Sequence, residues 1–90
     1  MSAFPAEVMA VPLRRVREGN WLEVQAEWGG DTYALKRAGS ACEDAIFGLL
    51  EHKARVVLME AMGFPVVQVD ESGKHRRVRK RPDGTYETLT

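Results

Sequence analysis

The sequence predicts a small α+β fold, one central helix flanked by two antiparallel β-hairpins, and three observations carry that prediction. Residues 21–28 alternate apolar and polar side chains with the two-residue period of a strand. Residues 46–61 place apolar side chains at helical spacing. Two turn signals, Glu71-Ser72-Gly73-Lys74 and Pro82-Asp83-Gly84, cut the C-terminal third into short strands. The expected order is β-β-α-(β)-β-β-β, with an N-terminal arm over residues 1–20 and a compact domain over residues 21–90.

The arm holds Pro5 and Pro12 and little periodicity. Val8, Met9, Val11 and Leu13 suit an edge strand laid against the body, so the arm is expected to be partly ordered. Residues 14–20 are charged and end in the turn pair Gly19-Asn20. In the first hairpin, Leu22, Val24, Ala26 and Trp28 share one face while Trp21, Glu23, Gln25 and Glu27 share the other. Gly29-Gly30 permits the positive φ values of a two-residue turn. That loop length pairs Trp28 with Asp31, Ala26 with Tyr33 and Val24 with Leu35, which keeps the apolar residues together. By the same parity one of the two indoles, Trp21, is expected to face solvent.

Ser40 and Glu43 have the spacing of a capping box at the start of the helix. Glu43 and Asp44 sit where the helix dipole favours anions. Ile46, Leu49, Leu50, Ala54, Val57, Leu58 and Ala61 form the expected apolar stripe. Residues 54–60 contain the β-branched pair Val56-Val57 and read as continued helix or, nearly as well, as a buried strand. Gly63-Phe64-Pro65 ends that element, because Pro65 lacks an N–H and biases Phe64 to extended geometry. Short strands are then expected at residues 66–70, 75–80 and 85–89.

Composition bounds the function. Thirteen Lys plus Arg balance thirteen Asp plus Glu. The distribution is uneven, since acids outnumber bases by ten to four between Glu18 and Glu71 while basic residues dominate on both sides. Such asymmetry speaks to partners. Cys42 is the single cysteine, which with no secretory pattern suggests a reducing, cytoplasmic setting. No apolar run approaches the roughly 20 residues of a membrane helix. A chain this size hides only about 60–65% of its unfolded surface, and homodimerisation is one route to added stability.

The outward-pointing feature is residues 74–81, with Lys74, His75, Arg76, Arg77, Arg79, Lys80 and Arg81 around a lone Val78. As a strand it puts Arg76, Val78 and Lys80 on one face and His75, Arg77, Arg79 and Arg81 on the other. Same-face side chains repeat every roughly 6.5–7 Å along a strand. That matches about twice the 3.4 Å rise per nucleotide of a nucleic-acid strand. Arginine's planar fork also suits phosphate. Three other readings stand beside this one: a charged edge strand guarding against aggregation, pairing with the protein's own acids such as Glu23 and Glu27, and an acidic protein surface as partner. Arg-Lys-Arg-Pro also has the composition of a nuclear-import signal, with nothing else to support it.

No chemistry is legible. Cys42, in the expected first helical turn, lacks a base within reach, since His52 lies roughly 15 Å along the same helix; it reads as a small buried thiol. Neither His52 nor His75 has metal-ligand spacing to Cys42. No cofactor and no enzymatic activity are expected. The leading expectation is a small non-enzymatic regulatory protein that binds nucleic acid or a nucleoprotein through residues 74–81, joined by Arg14, Arg15 and Arg17. The alternative is a protein-interaction module, an inhibitor or adaptor such as phage and mobile elements encode, with Trp21, Glu23 and Glu27 at its interface. An obligate dimer with a purely structural role in a larger assembly is a third.

Overall fold

A computed structural model describes residues 4–39 and 41–89. The fold class is α+β as expected: a long helix and two three-stranded antiparallel sheets. The chain divides into two compact units, residues 1–58 and 59–90. The elements in order are α1 (Ala6–Met9), β1 (Arg14–Glu18), β2 (Trp21–Trp28), β3 (Asp31–Ala38), α2 (Glu43–Ala61), β4 (Val66–Val69), β5 (His75–Lys80) and β6 (Tyr86–Thr88).

In the first unit β1, β2 and β3 form one sheet in sequence order. The two-residue turn has the expected register, Trp28 opposite Asp31, Ala26 opposite Tyr33 and Val24 opposite Leu35. Gly29 and Gly30 take φ of 61° and 83°, the left-handed pair that a twisted hairpin needs. Leu22, Val24 and Ala26 are buried, and Leu22 and Val24 cluster with Phe47, Leu50 and Ala54 of α2. Trp28, on the same parity, is nevertheless 38% exposed. It lies at the hairpin tip beyond the core, so both indoles meet solvent.

Two expectations for the N-terminal residues change. Residues 6–9 form a single helical turn, where an edge strand was expected. The edge strand is β1, whose residues Arg15 and Arg17 lie opposite Val24 and Leu22. Its apolar Val16 points to the outer face and Arg15 and Arg17 to the helix side, the reverse of ordinary binary patterning. The reason is on the helix. Arg15 donates two hydrogen bonds to Glu51, each 2.9 Å, and one to Asp44 at 2.7 Å. Its guanidinium also lies 5.1 Å from the Phe47 ring centroid. Arg17 pairs with Glu43 at 3.1 Å.

Residues 54–60 are helix, since α2 runs unbroken to Ala61. Its buried residues are Phe47, Leu50, Ala54 and Leu58, whereas Leu49 is 54% exposed. Phe47 replaces Leu49 in the stripe because the two lie about 160° apart round the helix and only one can face the sheet. Cys42 is exposed and not buried. It precedes the helix with φ of 56°, and its carbonyl accepts the first helical bond, from Ile46 at 3.1 Å. The capping partner Ser40 lies outside the described residues.

The helix ends in a Schellman motif. Phe64 N–H bonds the Met59 carbonyl and Gly63 N–H the Glu60 carbonyl, both at 3.0 Å, with Gly63 at φ 85°. In the second unit β4, β5 and β6 form the other sheet, with β5 in the middle.

Candidate nucleic-acid interface

Two aspartate turns hold the basic strand in place. Between β4 and β5, Asp70 Oδ1 accepts from Ser72 N–H at 3.0 Å, Ser72 Oγ at 2.6 Å and Lys74 N–H at 3.0 Å. The Ser72 hydroxyl, then the Lys74 amide, hold the Asp70 carboxyl below its ordinary range. Between β5 and β6, Asp83 Oδ1 accepts from Thr85 N–H at 2.9 Å and Thr85 Oγ1 at 2.6 Å, which lowers its carboxyl likewise. Short side chains bonding the backbone two residues on are what make Asp a turn former.

Register then sorts the cluster by face. Val78 lies opposite Val66 and Thr88, and both valines are buried. The other face carries His75 opposite Val69, Arg77 opposite Val67, and Arg79 opposite Glu87. Every residue from 74 to 81 except Val78 is exposed. The division into a cationic row and a mixed face is as expected.

The position of β5 corrects one reading. It pairs with β4 on one side and β6 on the other, so it is not an edge strand. Its ladders are staggered, β4 pairing with His75–Val78 and β6 with Val78–Lys80, so edge protection is left as a partial account of its charge. Its cations are unequally committed. Arg76 approaches Asp70 at 3.6 Å, and Arg81 donates to Thr85 Oγ1 at 3.2 Å and to the Tyr86 carbonyl at 3.4 Å. Among the described residues no carboxylate lies within ion-pair distance of Arg77, Arg79 or Lys80.

The remaining expected site residues belong to the first unit. Arg15 and Arg17 are committed to helix carboxylates, and Arg14 donates to the Gln25 side chain. Arg15 and Arg17 thus already have anionic partners on the helix. Trp21 is 51% exposed on the outer face of the first sheet, with Lys36 Nζ 5.6 Å from its ring centroid. Glu23 lies opposite Lys36, and Glu27 near the hairpin tip is exposed.

Sequence reading missed Val67 and Val69, which are 59% and 60% exposed. The signal was present: β4 reads Val-Val-Gln-Val, and a strand with apolar residues on both parities must show one set outward unless both faces are covered. Among the described residues no group of three His, Cys, Asp or Glu is placed to hold a metal ion, and no helix is long and apolar enough to cross a membrane. Comparison with protein-family models, curated proteins and solved structures finds no match to this chain.

Proposed function

We propose that this is a small, non-enzymatic regulatory protein that binds nucleic acid or a nucleoprotein through the exposed face of β5. One observation carries the reading: a strand interior to its sheet exposes Arg77 and Arg79 with no carboxylate at ion-pair distance among the described residues. Like charges on alternate residues of one strand, roughly 6.5–7 Å apart, repel modestly in water, and an anion lying along them relieves that repulsion. Glu87 opposite Arg79 moderates the field without closing an ion pair.

The test is binding of labelled oligonucleotides followed by fluorescence anisotropy between 50 and 200 mM salt, with a pull-down run in parallel with and without nuclease. Binding that weakens linearly in log–log form, and partners lost after nuclease, are the expected results. Salt-independent binding, or none at the lowest salt, refutes the reading.

A second reading is supported by Trp21. A half-exposed indole on the outer face of the first sheet suits a protein anchor, and Glu23 on that face would repel phosphate. A protein partner that resists nuclease and is lost in a folded Trp21→Ala variant would favour it.

A further inference from the structure

We propose that the exposed face of the second sheet takes single-stranded nucleic acid, phosphates along the Arg77–Arg79 row and bases against the Val67–Val69 row. This rests on the nucleic-acid reading above and names which nucleic acid the face fits.

Two rows lie side by side on that face. Val67 is directly across from Arg77, and Val69 from His75. Neighbouring strands are about 4.8 Å apart, and alternate residues on each strand repeat at roughly 6.5–7 Å. The face therefore offers a cationic line and a parallel apolar line, each with a repeat that an extended nucleic-acid strand can follow. On the other side of Arg77, Leu89 donates its N–H to the Arg77 carbonyl at 2.8 Å and continues the β6 register, half-buried.

The apolar row decides between single strand and duplex. A duplex turns charged phosphates outward and keeps its base faces stacked inside, so on a flat sheet it offers nothing for exposed valines to cover. A single strand splays its bases, whose flat faces are apolar and take up side-chain contacts without regard to sequence. Both valines are well over half exposed, so this contact removes apolar surface from water that the arginines alone would leave wet. His75, next to Arg77 on the same face, adds a ring on which a base can stack. From His75 to Arg79 the row spans about 13 Å, room for two or three phosphates. Contact is thus expected to be short and tolerant of sequence.

The experiment compares a labelled 12-nucleotide thymidine oligomer with the same oligomer annealed to its complement, titrated with the full chain at 50 mM salt. Val67→Thr/Val69→Thr serves as the matching variant, because threonine keeps the β-branched shape and adds no charge. Single-strand binding at least tenfold tighter than duplex, with the valine pair weakening it about fivefold at an unchanged salt slope, is the expected result. An unchanged melting temperature for the variant keeps that loss attributable to contact. Duplex binding equal to or tighter than single strand overturns this inference and leaves the nucleic-acid reading standing. Single-strand binding unaffected by the valine pair also overturns it. No binding to either probe overturns the nucleic-acid reading itself.

Discussion

The two faces of β5 make the sharpest prediction, because they hold similar charge in different surroundings. Arg77→Ala/Arg79→Ala strips the open face. Arg76→Ala/Lys80→Ala removes the same formal charge from the face that buries Val78, where Arg76 already leans on Asp70 at 3.6 Å. Each phosphate contact on a single strand contributes about 0.7 to the slope of log K against log salt, so losing both open-face arginines should lower the slope by about 1.4. Between 50 and 200 mM, a fourfold change in salt, that slope difference corresponds to about a sevenfold difference in how far affinity falls. Arg76→Ala/Lys80→Ala should keep a near-parental slope. The assay is anisotropy titration at four salt concentrations, with circular dichroism confirming that each variant folds. Equal slope losses in the two pairs would refute the face assignment and reduce the cluster to undirected charge.

Other outcomes test the scaffold. Arg55 Nη1 donates to the Val8 carbonyl at 2.7 Å and the Val11 carbonyl at 2.5 Å, tying α1 to α2. A single helical turn has no stability of its own, so Arg55→Met should cost about 2 kcal/mol and speed amide exchange at Met9–Val11. Exchange unchanged there would count against the tie. Leu22→Ala empties a fully buried site and should cost about 2–5 kcal/mol in urea unfolding. A loss below 1 kcal/mol would mean the core is not organised around β2 and α2. Hydrogen bonds from Arg15 hold the Glu51 carboxyl below its usual range. A depressed carboxylate contributes its stability above the unfolded value of about 4.3, and that stability is lost as pH falls through the lower folded value. Glu51→Gln should flatten the stability–pH curve in that acid window, and an unaltered curve would show the pair to be inconsequential.

Much of the fold was legible from particular residues. Gly29-Gly30 set a two-residue loop, and with it the register of β2 and β3, because a one-residue slip would have thrown Tyr33 and Leu35 to the polar side. Gly63-Phe64-Pro65 marked the helix end for a local reason, since the backbone there needs a positive φ and then cannot continue. β1 was not legible. Arg-Arg-Val-Arg-Glu has inverted polarity, and only the carboxylates of Glu43, Asp44 and Glu51 across the gap make that arrangement favourable. Residues 29 to 36 positions apart in sequence supply the Arg15 partners, and no local pattern records such a pairing.

The basic cluster divides along the same line. Strand parity is a property of the backbone, so the sequence by itself determined that His75, Arg77 and Arg79 share one face while Val78 takes the other. Whether that strand lay at an edge or inside a sheet depended on β6 folding back onto it through the Asp83 turn, a matter of partners and not of parity. The tertiary structure decided it, and decided too that Val67 and Val69 stand in the open beside the arginines. Burial is the sum of everything packed around a side chain, and no single strand can specify that from its own residues.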